Sequence, residues 1–241
     1  PATFWNVENC TVDNLTCALH PDGTTKLKRY EIKSGNTFPS GRSYAAEIQN
    51  FANWWQYYRK RKLMLAGAMS SVLSNVANIR GGVVKINNLA PTTMYDFGSL
   101  VAASNYKAVI GQFQTNGASG GTPLRQALKY AGDQFKNNMS VVQYACQRNA
   151  AFVVTDGFAE ATATTPPAYA TATWGTPNPP LGVPYTKTLA DIALSYFTIN
   201  IRPDLALGKV PFDALETYPG ADKNPNLHMN TYAITIGSKG T

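Results

Sequence analysis

The chain has 241 residues, of which 44% are hydrophobic and 15% are charged, and its formal net charge at pH 7 is +7. This length fits one large domain or two small ones with a buried core, and no apolar run approaches the roughly 20 residues that a membrane-spanning helix needs. Three cysteines are too few for a disulfide-rich scaffold. The composition therefore indicates a globular protein. It predicts neither a transmembrane helix nor a small disulfide-stabilised scaffold.

Residues 1–44 predict an irregular, polar segment, because turn signals recur at Pro21-Asp22-Gly23 and Ser34-Gly35-Asn36. Cys10 and Cys17 enclose a short loop in this segment. On spacing alone, a disulfide between these two cysteines and three reduced thiols are equally compatible with the sequence. If the two are bonded, Cys146 is left over, and we expect it to be buried.

A single long helix is predicted over Ala45–Val76, since apolar residues recur there at helical spacing: Ile48, Phe51, Trp55, Tyr58, Leu65, Met69, Val72 and Val76. The helix contains the dense basic run Arg59-Lys60-Arg61-Lys62. Four consecutive helical positions point around most of the circumference, so this run is not one flat basic face. We interpret it as a solvated helix surface rather than a phosphate-binding patch. The sequence has no zinc-finger spacing, RNA-binding signature or nucleotide loop, and we expect no nucleic-acid partner.

The rest of the chain alternates between strand and helix patterns. Strands are predicted at Gly81–Leu89, Asn149–Gly157 and Met229–Gly237, with helices at Pro123–Lys136 and Lys187–Asn200. A weaker helical pattern covers Tyr95–Asn105, Lys107–Thr115 is an ambiguous helix or strand, and residues 158–187 read as a long loop rich in Ala, Thr and Pro. This alternation predicts an α/β fold with a mostly parallel sheet, whose functional residues gather at the carboxyl ends of the strands.

One motif invites a serine-hydrolase interpretation. Residues 117–121 fit the G-x-S-x-G pattern, and Ser119, Asp156 or Asp191, and His228 follow the chain order of an α/β-hydrolase triad. The residues before Ser119 are polar rather than an apolar strand, however, and Pro123 puts the helix start four residues downstream. We therefore disfavour the hydrolase, expect no enzyme, and expect His228 to make a structural hydrogen bond.

Thr122 and Asp156 support a different interpretation. Thr122 is the predicted N-cap of the helix that starts at Pro123, and Asp156 ends the apolar strand, so both belong at the carboxyl edge of the sheet. Hydroxyl and carboxylate oxygens are hard ligands that suit Mg²⁺, Mn²⁺ or Ca²⁺. On these two residues alone, a helix cap and an Asp-Gly turn would be the simpler explanation.

Longer stretches carry a family resemblance. "GGTPLRQAL" followed by "VVTDGF" resembles the second and third metal-site loops of a von Willebrand factor A-type domain. Five blocks, in the family's order, resemble the amino-terminal region of PilY-type proteins, which are tip-associated adhesins and assembly factors of bacterial type IV pili. The blocks are "NFANWWQYYRKRKLML", "GGTPLRQALKYAGDQF", "CQRNAAFVVTDGF", "TLADIALSYFTINIRPDL" and "LHMNTYAITIGSKGT".

The resemblance implies a fold, a site and a location. It implies that residues 45–241 form a von Willebrand A-like domain, with a mostly parallel, Rossmann-like central sheet covered by helices on both faces. It implies a metal-ion-dependent site to which Thr122 and Asp156 contribute. It also implies an exported, extracellular protein of the cell surface or pilus tip that acts in adhesion, pilus biogenesis and twitching motility. Its partners would be pilus subunits (minor pilins) and a host or surface receptor, and export implies a Cys10–Cys17 disulfide.

The sequence departs from the family pattern at the first metal-site loop, because no Asp-x-Ser-x-Ser is present. Two protein ligands rarely hold a hard divalent ion firmly. We therefore expect Mg²⁺, Mn²⁺ or Ca²⁺ to bind in the full-length parent protein rather than in this chain alone. The strand that precedes this loop is missing with it, and we expect either Pro1–Val7 or a second chain to supply a strand.

Two further expectations follow from the resemblance. The family's carboxy-terminal β-propeller is missing too, so the chain is expected to be a fragment of a larger polypeptide. The alternative function is a metal-free protein–protein interaction module that docks onto a pilus or partner subunit. In either case the long loop Phe158–Lys187 is the predicted binding segment, because it leaves the sheet at its carboxyl edge.

Overall fold

The computed structural model describes residues 2–90, 93–98, 103–115, 120–157, 188–212 and 221–235. The chain divides into two compact units, Pro1–Ala68 and Met69–Thr241. None of the helices in the described ranges has the length and apolar character that a bilayer crossing needs.

The first unit contains a small antiparallel sheet where an irregular segment was predicted. Its strands are β1 (Thr3–Val7), β2 (Cys17–Leu19) and β3 (Lys26–Glu31), with β3 in the centre. Strand β1 pairs with β3, with Phe4 opposite Tyr30. In the described structure, β1 therefore does not supply the strand that was expected to be missing from the von Willebrand A-like sheet.

Two aspartate turns explain why this polar segment is ordered. The Asp13 carboxylate accepts hydrogen bonds from the backbone N–H groups of Leu15, Thr16 and Cys17, at 2.7–2.9 Å. Asp22 organises the next turn in the same way. Aspartate side chains that bond to the backbone a few residues ahead stabilise tight turns. The expected disulfide between Cys10 and Cys17 is present, whereas Cys146, expected to be buried, is exposed.

The single helix predicted over Ala45–Val76 is wrong, because two helices occupy this region: α1 (Tyr44–Tyr57) and α2 (Arg61–Leu73). Between them, Tyr58 folds back so that its ring covers Gly67, where a Cβ would lie 3.1 Å from a ring carbon. In a continuous helix, residues 58 and 67 would be roughly 13 Å apart along the axis. The break falls at residues 58–60, where Tyr58, the C-cap of α1, has a φ of −130° and a ψ of −10°.

The second unit contains the remaining elements. They are β4 (Arg80–Gly81), β5 (Tyr95–Asp96), α3 (Ala103–Thr115), α4 (Leu124–Asn137), β6 (Ala150–Thr155), α5 (Leu189–Thr198) and β7 (Asn230–Thr235). β4 pairs with β5 in antiparallel orientation, and β6 pairs with β7 in parallel, from Ala150 opposite Asn230 to Thr155 opposite Thr235. The predicted helices and strands that correspond to α4, β6, α5 and β7 are confirmed, and the ambiguous segment before residue 115 is helical.

Two predictions in the second unit are wrong. The strand expected over Gly81–Leu89 is limited to β4 and an isolated bridge between Lys85 and Asn88, because the paired asparagines near residue 88 favour a turn. The weak helical pattern expected from Tyr95 begins instead as strand β5. The Asp96 side chain then accepts a hydrogen bond from the Gly98 N–H, at 2.8 Å, in a turn that delays the helix.

The core of the second unit lies where α4 and α5 pack on the β6–β7 pair. Its fully buried side chains include Val142, Ile192, Tyr196, Ile201 and Met229. Helix α5, which carries Ile192 and Tyr196, begins at a capping box formed by Thr188 and Asp191. The capping box fixes the amino end of this helix. The described parallel sheet has two strands, and the larger von Willebrand A-like sheet stays a prediction.

Candidate functional site

The structure brings Thr122 close to the turn that contains Asp156. β6 ends at Thr155, and Asp156 and Gly157 follow in a turn in which the Gly157 N–H donates to the Thr155 hydroxyl, at 3.2 Å. A Cβ placed on Gly157 would lie 3.6 Å from Thr122 Oγ1. The hydroxyl that precedes α4 therefore lies at the carboxyl end of β6, which is where parallel sheets place their binding residues.

The loop before Thr122 is held by a residue that the sequence did not indicate. Gly120 has a φ of +96°, a conformation that favours glycine. A Cβ on Gly120 would lie 3.2 Å from the side-chain amide of Asn87. Asn87 therefore packs against the Gly-Gly-Thr loop, and the only signal for it in the sequence is its place in an Asn-Asn turn.

The predicted N-cap is displaced by one residue. Pro123, not Thr122, occupies the cap position of α4, and it makes no side-chain cap hydrogen bond. The Leu124 N–H instead donates to the backbone carbonyl of Thr122, at 2.8 Å. The φ of Pro123, −76°, is compatible with a helix, but its ψ of 57° is not, so the first helical residue is Leu124.

The described residues do not complete a site for a hard divalent cation. Within those ranges, no three His, Cys, Asp or Glu side chains lie together in a group that could hold a metal ion. Thr122 and Asp156 supply two oxygen-bearing side chains, whereas calcium takes 6–8 oxygen ligands and magnesium needs near-octahedral coordination. These two residues do not fit a resident metal without further ligands.

The hydrolase candidates are not assembled by the described structure. Ser119 lies outside the described residues, as does the Phe158–Lys187 loop. His228 is buried, with its Nδ1 at 2.7 Å from the Asn226 carbonyl oxygen and its Nε2 at 2.9 Å from the Asp222 carboxylate. The expected structural role of His228 is confirmed, since both ring nitrogens have partners within the fold.

The His228 contacts belong to a polar cluster that fixes the start of β7. Burial raises the pKa of Asp222, but hydrogen bonds from His228 and Asn230 outweigh it and hold that pKa at about 2. The Asn149 side chain donates to the His228 carbonyl, at 3.1 Å, and the Asn230 N–H donates to the Asn149 carbonyl, at 3.0 Å. The cluster ties the starts of β6 and β7 together, and only the high density of Asp and Asn in residues 222–230 could have indicated it.

Comparison with known proteins identifies relatives of one kind, the type IV pilus biogenesis factor PilY1 of Pseudomonas aeruginosa. The protein of strain UCBPP-PA14 is 26% identical in an alignment of 217 residues that covers 80% of this chain and 19% of the relative. The protein of strain PAK is 27% identical in an alignment of 239 residues that covers 81% of this chain and 20% of the relative. The chain thus spans about a fifth of the length of the curated relatives it matches. No family model matches the chain, and no solved structure matches it significantly.

Proposed function

We propose that this chain, which is related to the PilY1-type biogenesis factors of type IV pili, is a non-enzymatic binding domain of such a factor. The observation that carries the proposal is the similarity to these factors over about four fifths of the chain. A buried His228, engaged at both ring nitrogens, supports a binding role over a hydrolytic one.

The proposed fold is a von Willebrand A-like domain with a mostly parallel sheet and helices on both faces. The parallel β6–β7 pair and the packing of α4 and α5 on it support this fold. The closeness of Thr122 to the Asp156–Gly157 turn supports a binding edge at the carboxyl end of β6. A second chain, or another segment of a longer parent protein, would supply a further strand to this sheet.

The proposed action is adhesion and pilus assembly at the cell surface or pilus tip, with minor pilins and a surface receptor as partners. The test is to delete the segment that encodes this chain from its gene in the native bacterium. We expect surface pilin, recovered by shearing, and twitching motility to fall. Normal piliation, with the shortened protein exported at the usual level, would reject the role in biogenesis.

The alternative is a metal-free docking module, and it is favoured because the described residues supply only an incomplete set of oxygen ligands around Thr122 and Asp156. Titration of the purified chain with Mg²⁺, Mn²⁺ and Ca²⁺ by calorimetry separates the two modes. The metal-free module predicts no saturable heat and partner binding that survives EDTA. A saturable heat that Asp156→Ala removes would support the metal site instead.

The Phe158–Lys187 segment is the proposed partner-binding segment. Replacing residues 160–184 with a short Gly-Ser linker tests it, with circular dichroism to measure folding and an assay of attachment to cells or pili. Retained folding with lost attachment is the expected result. Unchanged attachment would show that partners bind elsewhere.

A further inference from the structure

Helix α1 presents an aromatic surface that the first unit does not bury. Of its side chains, only Glu47 is buried. Five large aromatic side chains on the helix and its C-cap are 42–53% exposed: Tyr44, Trp54, Trp55, Tyr57 and Tyr58. Helices of this length draw most of their stability from packing of an apolar face. A helix with so much exposed aromatic area therefore indicates a docking surface.

The aromatic rings are held together, and a cation lies among them. Phe51 contacts both tryptophans, with ring centroids 5.7 Å from Trp54 and 6.1 Å from Trp55. The Arg59 guanidinium lies over the Trp55 ring, 4.6 Å from its centroid, and donates to the Trp55 carbonyl, at 3.2 Å. Phe51, Trp55, Arg59 and Leu63 line an open groove of about 820 Å³. The surface thus combines an apolar wall with a fixed positive charge at its rim.

The charge around this surface is positive. Residues 42–68 contain five Lys and Arg residues but a single acidic residue, Glu47. Glu47 is satisfied internally, because it accepts a hydrogen bond from the Ser40 hydroxyl, at 2.6 Å, and pairs with Arg42, at 3.6 Å. Arg59 and Lys60, which directly follow α1, therefore have no second acidic side chain on that helix to pair with. A partner that complements this surface would be anionic and would also accommodate aromatic side chains.

The solvated helix surface expected for the basic run assumed one continuous helix, whereas α1 ends just before Arg59 and Lys60. We propose that α1, together with Arg59 and Lys60, docks onto an anionic phospholipid surface. Tryptophan and tyrosine favour the headgroup level of a bilayer, where an apolar ring and a polar tip are both satisfied. Arginine binds phosphate through its planar, forked donors, and basic residues beside an amphipathic helix are attracted to anionic lipid. The aromatic side chains spread over about half of the helix circumference, which suits a flat bilayer better than the narrow contact of one acidic peptide.

Vesicle sedimentation with the full chain tests the proposal. The probes are phosphatidylcholine vesicles with and without about 30% phosphatidylglycerol, at low and high salt. We expect binding to the anionic vesicles only, weakened by salt and accompanied by a blue shift of tryptophan fluorescence. Arg59→Gln and Lys60→Gln should each weaken binding by roughly fivefold. The double variant Trp54→Ala/Trp55→Ala should weaken it by about tenfold or more.

Trp5 provides a matched control, because it is 44% exposed on β1 of the same unit. Trp5→Ala should bind anionic vesicles as the unmodified chain does, and circular dichroism should show that all variants are folded. No binding to anionic vesicles, or equal losses for Trp5→Ala and the Trp54/Trp55 variant, would overturn the proposal. Binding to polyglutamate but not to vesicles would overturn it in favour of an acidic protein partner.

Discussion

The ring of Tyr196 in α5 lies directly over Gly132 in α4, so closely that a Cβ on Gly132 would overlap a ring carbon. The Tyr196 hydroxyl lies 2.6 Å from the Asp133 carboxylate and 3.1 Å from the Lys129 carbonyl oxygen. The two helices therefore approach each other through a position without a side chain. Their contact supports β6 and β7, and with them the edge that holds Thr122 and Asp156.

Gly132→Ala should destabilise the second unit, because the added methyl group collides with a fully buried ring. We expect the free energy of unfolding to fall by about 2–3 kcal/mol, measured by urea denaturation. Gly111→Ala is the matched control, since Gly111 also lies inside a helix and a Cβ there meets nothing within 4 Å. That variant should be stabilised by roughly 0.5–1 kcal/mol. Equal effects at both positions would contradict the packing described.

Tyr196→Phe should separate the hydroxyl contacts from the ring packing. Loss of the contact with Asp133 is expected to cost about 1 kcal/mol. Burial raises the pKa of Tyr196, as do the hydrogen bond and the negative charge of Asp133. The folded chain therefore keeps this proton where an unfolded tyrosine loses it, so stability should fall as pH rises above about 10. Tyr196→Phe should show a smaller loss over that range, and an identical pH profile would count against the prediction.

Asp222 should make the chain sensitive to acid. Its pKa in the folded chain is held at about 2, below the value of about 3.9 for an unfolded aspartate. The stability that it contributes is complete above pH 4 or so and is lost as pH falls from about 4 toward 2. The difference in unfolding free energy between the unmodified chain and Asp222→Asn should shrink across this window. A difference that stays constant from pH 6 to pH 2 or so would refute the coupling.

The cysteines give a direct chemical test. Because Cys10 and Cys17 are bonded and Cys146 is exposed, a thiol reagent should label one cysteine per chain without denaturant. Labelling of three cysteines, or of none before unfolding, would contradict this arrangement. The double variant Cys10→Ser/Cys17→Ser should lose about 2 kcal/mol of stability in the first unit, mainly because the short closed loop is released.

Sequence analysis was most successful where the local residue pattern and the packing of the segment in the fold favour the same helix or strand. The apolar run "AAFVVT" becomes β6, and the helix predicted over Lys187–Asn200 becomes α5. It failed where a distant contact decides the local structure. Periodicity cannot show that Tyr58 turns back onto Gly67. The turn signal at Pro21-Asp22-Gly23 likewise cannot show that β1 and β2 pair with the two edges of β3.

The candidate site shows the same division. Thr122 and Asp156 could be placed at one edge from the strand–helix alternation, because that edge follows from topology. Asn87 could not be placed there, since its contact with Gly120 joins segments more than 30 residues apart. The hydrogen bond from the Asn149 side chain to the His228 carbonyl could not be predicted either, because these residues are also far apart in the sequence.

The parallel pairing of β6 with β7 also has a consequence for synthesis. The partner of Ala150 is Asn230, so a ribosome must add about 80 further residues before the ladder can start to form. At ordinary elongation rates of about 5–20 residues per second, β6 waits for several seconds with an unpaired edge. Phe152 still exposes 64% of its side chain in the finished fold. Until Asn230 has been added, β6 therefore leaves backbone hydrogen-bonding groups and the apolar Phe152 side chain open to pairing with another chain.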